Sequence, residues 1–320
     1  MKTLAEFTRD AFIGFAIGDA LGVPVEFETR EWLQENPVTE MMGYMRYNQP
    51  PGTWSDDSSM VFCTAESLCN GYDLKEIAIN FSRWKNERFW TARGRVFDIG
   101  IQTNKSIDRI DRFISMGLHI KPIPELGVNE KENGNGSLMR ILPLAFYLKD
   151  KPVSERFRIV KEISALTHAH ARAVAGCFIY VEFMIRLLEG LDKHQAYNDI
   201  QHFIPAFYKE EVRSEEYNYY CRILTNNIAE YPEAIIRSSA YVLHTLEACL
   251  WCVMRNDTFS DTVLKAVNLG EDTDTVAALA GGLAGMIHGM DQIPQSWLKV
   301  LARKNDILEL AGRYSSSLSA

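Results

Sequence analysis

Residues 270–289 read GEDTDTVAALAGGLAGMIHG, an acidic start followed by an apolar run in which glycine recurs every four residues. Glycine costs a helix interior about 1 kcal/mol relative to alanine, so a regular stripe of it needs a structural reason. Residues four apart share one helix face, where missing side chains let another backbone approach closely. The same spacing occurs near the N-terminus, at Gly14, Gly18 and Gly22. The two stripes predict central helices packed at short distance; the alternative is a chance run of small residues.

Helical periodicity continues outward from these two segments, and alternating β-type patterns are nearly absent. The predicted helices are 4–17, 60–69, 74–84, 101–116, 137–147, 154–166, 171–188, 234–254, 258–267 and 275–287. Since no Pro/Gly/Ser-rich linker divides the chain, we predict a single all-α domain over residues 1–314. Within it, the polar stretch 190–231 is expected to form peripheral helices, and residues 315–320 a loose tail.

The amino-acid composition excludes several classes of protein and of binding partner. The chain has 320 residues, 47% of them hydrophobic and 24% charged, which excludes a disordered or fibrous protein. Its 34 basic and 42 acidic residues give 34 − 42 = −8, so no charge surplus favours non-specific nucleic-acid binding. An anionic membrane surface would repel such a chain. We expect neither nucleic acid nor membrane as a partner.

The termini and the cysteines predict a cytoplasmic protein. Charged residues interrupt the first ten positions, so we see no signal peptide, and no apolar run is long enough to span a bilayer. The six cysteines lie in apolar, helical-looking sequence, which favours free thiols in a reducing compartment. Cys249 and Cys252 have CxxC spacing, but no second pair accompanies them, and we interpret them as buried thiols.

Two acidic motifs each precede an apolar helical segment. The first is Ser55-Asp56-Asp57-Ser58, and the second is Gly270-Glu271-Asp272-Thr273-Asp274-Thr275. Either motif alone is explained by N-capping, because carboxylates and hydroxyls satisfy the free amides of a helix start. Together they favour a hard-cation site, since Mg²⁺ and Mn²⁺ prefer carboxylate, hydroxyl and water oxygens. Four or more convergent acids are enough to hold two ions.

These motifs belong to a larger ordered set that resembles the ADP-ribosylglycohydrolase family. The set comprises Gly14-x3-Gly18-Asp19-Ala20-Leu21-Gly22-x-Pro24-x-Glu26, Ser55-Asp56-Asp57-Ser58-x-Met60, Gly134-Asn135-Gly136-Ser137-Leu138-Met139-Arg140, Thr167-His168 and Gly270-Glu271-Asp272-Thr273-Asp274-Thr275-Val276-Ala277-Ala278. The resemblance implies an orthogonally packed all-α fold with two Mg²⁺ or Mn²⁺ ions in a central cleft. This chain has Ser55 and Ser58 where the family usually has threonine; the hydroxyl ligand is kept.

The resemblance also implies roles for particular residues. The family's metal ligands match Ser55, Asp56, Asp57, Asp272, Asp274 and Thr275, and its catalytic acids match Glu26, Asp56 and Asp57. The substrate-binding positions match Asp98, Asn135, Gly136, Ser137 and His168. Plainer explanations exist for some of them: Glu26 as a surface acid paired with Arg30, and His168 as a helix cap or core polar group.

The function implied is a metal-dependent hydrolase that removes ADP-ribose from modified protein side chains. Arginine is the expected linkage, and serine- or other O-linked, thymidine-linked and free conjugates are the alternatives. Its partners would be an ADP-ribosylated protein and ADP-ribose. One alternative is an immunity-type protein that binds and blocks an ADP-ribosylating toxin, with or without hydrolysis. Another is a phosphohydrolase with the same two-metal chemistry, which would release inorganic phosphate.

Overall fold

The chain is described by a computed structural model over residues 2–124, 129 and 132–319, and this part is helical. Across those residues there is no strand, and an isolated bridge pairs Gly134 with Tyr241. The predicted all-α class is confirmed. The α-helices are α1 Leu4–Gly22, α2 Arg30–Glu35, α3 Asp56–Leu68, α4 Leu74–Glu87, α5 Ile101–Ser115, α6 Pro143–Leu148, α7 Val153–Ser164, α8 Ala171–Leu188, α9 Lys193–Phe207, α10 Cys221–Leu224, α11 Val242–Arg255, α12 Phe259–Val267, α13 Thr273–His288, α14 Gln295–Val300 and α15 Lys304–Ser317.

Shorter helical turns connect these elements. The 3₁₀ turns are Val23–Val25, Leu138–Arg140, Glu216–Tyr220, Ile228–Glu230, Glu233–Ile235 and Met290–Gln292, and a π-helical turn spans Tyr208–Val212. Among the described helices, none is both long and apolar enough to cross a bilayer. The described cysteines are all free thiols, and Cys249 and Cys252 are buried in α11, as predicted.

Helices α1 and α13 run antiparallel through the core in close backbone contact. A Cβ placed on Gly14 would lie 2.3 Å from the carbonyl oxygen of Gly281, and one on Gly18 only 1.9 Å from that of Ala277. At the other end of the pair, a Cβ on Gly285 would lie 2.1 Å from the Asp10 carbonyl oxygen. The glycine stripes therefore exist because the two backbones leave no room for a methyl group, which confirms the predicted close packing.

Gly18→Ala is expected to destabilise the protein by about 3 kcal/mol or more, the upper end of what overpacking costs. The neighbour is backbone, which cannot rotate away. Gly312→Ala, on α15, is the matched control, since a Cβ there meets no atom within 4 Å. That change should stabilise by about 0.5–1 kcal/mol, because alanine restricts the unfolded chain. Thermal unfolding of both variants checks the packing; similar stabilities would contradict it.

Three predicted segments differ from the observed helices. The predicted helix 137–147 is split, because Pro143 has no N–H to donate and starts the new helix α6 instead. The predicted helix 234–254 begins only at Val242, after the 3₁₀ turn Glu233–Ile235. The loose tail predicted from residue 315 is wrong for residues 315–317, since α15 runs to Ser317 and buries Tyr314 and Ser315.

The polar stretch 190–231 contains α9, α10 and several short turns. Helix α9 is amphipathic: Ala196, Ile200 and Ile204 are buried while its other face is polar. A capping box stabilises the N-terminus of α9: the Asp192 carboxylate accepts hydrogen bonds from the backbone amides of His194 and Gln195.

Candidate metal centre and substrate cleft

Five carboxylates converge at one end of the α1–α13 pair. The oxygens of Asp19, Asp57 and Asp274 all lie within 4.8 Å of one another, and we call this group the inner triad. The oxygens of Glu26, Asp98 and Asp274 satisfy the same distance and form the outer triad. Asp274 belongs to both triads, so it joins them into one continuous acidic cluster.

The cluster is assembled by two helix starts that the fold brings together. Ser55 caps α3, its hydroxyl oxygen accepting a hydrogen bond from the Asp57 amide at 3.2 Å, and Asp57 lies in the first turn. Asp274 and Thr275 lie in the first turn of α13. The Thr275 hydroxyl donates to the Asp57 carboxylate at 3.2 Å across the two helices. The helix dipole favours acids in the first turn of each helix. Because the first turns of α3 and α13 lie next to each other, their carboxylates belong to one cluster.

Asp19 joins the same centre from inside α1, and sequence reasoning did not assign it a role. Its carboxylate accepts hydrogen bonds from the Ser55 amide at 2.9 Å, the Ser58 amide at 3.0 Å and the Ser58 hydroxyl at 2.6 Å. It therefore fixes the start of α3 against α1. The available signal was an acid within an otherwise apolar, glycine-striped helix, where an unpartnered carboxylate would be costly.

Burial raises the pKa values of these acids. The pKa values of Asp56, Asp57 and Asp274 lie well above the ordinary range, first through burial and then through neighbouring carboxylates. Burial, followed by the charge of Asp98, raises the pKa of Glu26 to about 9. The charges that act most strongly on the cluster are thus other negative charges. An all-oxygen donor set with uncompensated acids fits a hard divalent cation.

The raised pKa of Glu26 predicts how stability depends on pH in metal-free protein. Its carboxyl keeps a proton to about pH 9 when folded, against an ordinary value of 4.5. The folded state therefore binds more protons, and stability is lost as pH rises between these values. Between pH 7 and 9 the buried His168, whose pKa is about 3, does not titrate. With EDTA present, the melting temperature should fall from pH 7 to 9, and fall less in Glu26→Gln. A wild-type melting temperature that rises would contradict this assignment.

A cavity of about 220 Å³ opens onto the acidic cluster. Its acidic lining residues are Glu26, Asp56, Asp98 and Asp272. The lining also includes residues without charge, namely Thr275, the segment 134–136, Thr103, Met139 and His168. The cavity thus combines acidic lining residues, whose oxygens suit cations, with lining residues that carry no charge.

The segment 134–136 lies tightly against its surroundings. The Asn135 side-chain amide donates to Asp272 at 2.6 Å and to Thr245 at 3.0 Å, which joins this segment to the acidic lining residues. A Cβ on Gly136 would lie 2.7 Å from the His168 ring, so glycine is needed for this close approach. Arg140 is fully buried and donates to the Gly136 carbonyl oxygen at 2.7 Å. It holds the turn in place and does not pair with a surface acid.

His168 and Ser137 differ in their access to the cavity. His168 lines the cavity, and its Nδ1 shares a 2.7 Å hydrogen bond with the Thr167 hydroxyl. Burial, with the charge of Arg140, lowers its pKa to about 3, so the imidazole is neutral. The Ser137 side chain faces the interior, where it accepts a hydrogen bond from Ser164 at 2.9 Å. The structure therefore brings His168 to the cavity and leaves the hydroxyl of Ser137 outside it.

The surface-acid explanation of Glu26 is wrong. Glu26 is only 3% exposed, and its carboxylate accepts a 2.6 Å hydrogen bond from the Tyr47 hydroxyl. Arg30 points elsewhere, its guanidinium donating to the carbonyl oxygens of Leu269 and Ile236. Tyr47 itself was not among the predicted site residues, because only the folded loop brings it to Glu26.

The structure thus places a buried acidic cluster, beside a cavity, at one end of a central antiparallel helix pair. Comparison with known proteins identifies this arrangement as that of a hydrolase of glycosidic bonds. The model of the ADP-ribosylglycohydrolase family matches residues 1–319, and the chain belongs to that family. It is 32% identical to an ADP-ribosylarginine hydrolase of Serratia proteamaculans, over 95% of this chain and 77% of the relative.

Two further proteins extend the comparison. The ADP-ribosyl-[dinitrogen reductase] glycohydrolase of Rhodospirillum rubrum is 29% identical, over 92% of this chain and 90% of its own length. A solved structure described as an ADP-ribosylglycohydrolase-related protein complex is 28% identical, with a TM-score of 0.78 and 99% of both chains covered. The likeness therefore extends over the whole fold and not just over the motifs.

Proposed function

We propose that this protein is a divalent-cation-dependent hydrolase that releases ADP-ribose from modified arginine side chains. One observation carries the proposal: two carboxylate triads share Asp274 directly beside a cavity. Two relatives are named for hydrolysis of ADP-ribosylarginine and of ADP-ribosylated dinitrogen reductase, which supports the same chemistry here.

The proposed ligands of two Mg²⁺ or Mn²⁺ ions are hydroxyl and carboxylate groups from the starts of α3 and α13. They are Ser55, Asp56, Asp57, Asp272, Asp274 and Thr275. Their oxygens suit hard cations, and the ions would neutralise acids that otherwise repel one another. When bound, such ions supply Lewis acidity and a template for hydroxyl oxygens and water.

The chain's own residues account for the remaining steps. Glu26 lines the cavity, and the positive charge of bound cations would lower its pKa so that it is ionised. It then accepts a proton from the attacking water, while Asp56 and Asp57 orient that water. Oxygen from water bonds to the anomeric carbon as the bond from that carbon to the arginine nitrogen breaks. The leaving guanidine takes up the proton that Glu26 removed from the water and departs as guanidinium. The surrounding carboxylates stabilise the developing oxocarbenium charge, as in other glycosidases. Asn135, Gly136 and the neutral His168 bind the ribose and phosphate portion, and Ser137 supports this segment from behind.

The charge of the cavity favours arginine as the linkage. An arginine conjugate presents a cationic guanidinium next to the reacting carbon, and Glu26 and Asp98 provide a complementary negative wall. A serine conjugate presents a neutral oxygen and gains nothing from that wall. The negative diphosphate is better placed next to residues 134–136, which line the cavity and carry no charge.

The test is incubation of the protein and Mg²⁺ with arginine-, serine- and thymidine-linked ADP-ribose, with the products identified by mass. We expect intact ADP-ribose and free arginine, with the arginine conjugate cleaved fastest. Release of inorganic phosphate or AMP would overturn the proposal in favour of a phosphohydrolase. Faster cleavage of the serine conjugate would overturn the assigned linkage.

The toxin-blocking alternative makes a separate prediction. A protein that blocks a toxin by binding would protect cells even after Asp274→Asn, whereas a hydrolase would lose protection together with turnover. The relatives described above are named as hydrolases, so the comparisons add no support for the binding role.

A further inference from the structure

Tyr47 lies between the two segments that carry the outer acids. Its hydroxyl donates to Glu26 at 2.6 Å, and its ring packs on Phe97 with 5.2 Å between centroids. Asp98, the residue after Phe97, has a carboxylate oxygen within 4.8 Å of oxygens of Glu26 and Asp274. One side chain therefore contacts both acid-bearing segments.

The loop that carries Tyr47 is held by its own backbone bonds and by the Glu26 segment. The Tyr44 amide donates to the Gln49 carbonyl oxygen at 2.7 Å, which closes the loop. Arg46 makes two contacts that flank Glu26: its amide donates to the Pro24 carbonyl oxygen at 3.1 Å, and its guanidinium lies 4.9 Å from the centre of the Phe27 ring. The loop thus fixes Tyr47 relative to Glu26.

Neither Glu26 nor Asp98 is oriented by a regular helix. Glu26 follows the 3₁₀ turn Val23–Val25 and precedes Phe27, whose φ of 65° is left-handed. Asp98 itself has a φ of 49° and lies before the start of α5. Helix geometry does not align side chains on irregular segments, so the position of Glu26 beside Asp98 depends on a hydrogen-bond donor from another segment. The Tyr47 hydroxyl is such a donor.

We propose that Tyr47 is a positioning residue: its hydroxyl holds the Glu26 carboxylate while its ring packs on Phe97, next to Asp98, and these two contacts fix the geometry of the outer triad. The inference rests on the proposed function, because it assigns Tyr47 a role in that reaction through Glu26. The aromatic ring supplies packing on Phe97, and the hydroxyl supplies the alignment of the acids.

Tyr47→Phe separates these two contributions, because phenylalanine keeps the ring and removes the hydroxyl. We expect affinity for free ADP-ribose, measured by calorimetry, to stay near wild type. The single-turnover rate on arginine-linked ADP-ribose should fall about 10- to 100-fold, the usual cost of losing a group that orients a site residue. Tyr72→Phe is the matched control, since the Tyr72 hydroxyl donates to Glu162 at 2.5 Å and neither residue lines the cleft. It should leave the rate unchanged.

A double-mutant cycle distinguishes positioning from a general structural effect. If Tyr47 acts through Glu26, then Tyr47→Phe should cause little further loss in a Glu26→Gln background. Full additivity, a normal rate for Tyr47→Phe, or a parallel loss of ADP-ribose binding would each overturn the inference while leaving the proposed function standing. A wild-type protein that releases no ADP-ribose would overturn both.

Discussion

Asp274→Asn is expected to abolish stabilisation by divalent cations and to reduce ADP-ribose release by about 10³-fold, the upper end of the cost of one preorganised electrostatic group. Asp274 is the residue common to both triads, so its loss affects every cation position that the cluster provides. In the wild type, a cation at 100 times its Kd should stabilise the folded state by about 2.7 kcal/mol. The asparagine variant should show no such gain.

Thermal unfolding with and without Mg²⁺, together with an ADP-ribose release assay, measures both effects. Asp291→Asn is the control, because Asp291 is an exposed acid just after α13 and outside the cavity. It should keep the Mg²⁺ effect and the wild-type rate. Without metal, Asp274→Asn should be at least as stable as wild type at pH 8, since it removes one of several neighbouring buried acids. A Mg²⁺ response retained in Asp274→Asn would show that the ligand assignment is wrong.

Glu26→Gln should separate binding from chemistry. The amide nearly matches the carboxylate in shape but cannot accept a proton, so we expect turnover to fall by roughly 10²–10⁴-fold, the range for a general base. Affinity for free ADP-ribose should persist, because the segment 134–136 and His168 remain in place.

Calorimetric titration with ADP-ribose and a single-turnover assay check this prediction together. Joint loss of binding and turnover would instead make Glu26 part of the cation scaffold, and the proton would pass to a ligand such as Asp56. Unchanged turnover would remove Glu26 from the mechanism.

The central helix pair could be predicted from the sequence because its cause is local. Glycine at four-residue spacing is explained by close backbone contact, and the structure shows that contact between Gly18 and Ala277. Helix α15 was missed because its burial depends on partners distant in the chain: the Tyr314 hydroxyl donates to the Pro143 carbonyl oxygen and its ring stacks on Phe12.

The site residues also differ in whether a local sequence pattern or a distant contact determines their role. Asp57 and Asp274 could be predicted because helix starts favour acids, and two such motifs in one chain indicate a shared site. Asp19 could not be placed there from its own segment, since it acts by accepting bonds from Ser55 and Ser58 on another helix. Tyr47 gave no signal in the sequence, because a loop aromatic becomes a site residue only when folding brings its hydroxyl to an acid.

The most direct test of the account is ADP-ribose release by metal-stripped and metal-reloaded protein. The substrate is arginine-linked ADP-ribose, and the product is identified by mass. We expect no release after EDTA treatment and recovery with Mg²⁺ or Mn²⁺ but not Zn²⁺, because the proposed ligands are all oxygens. Full activity in the metal-stripped protein would contradict the proposed role of the Asp274 cluster.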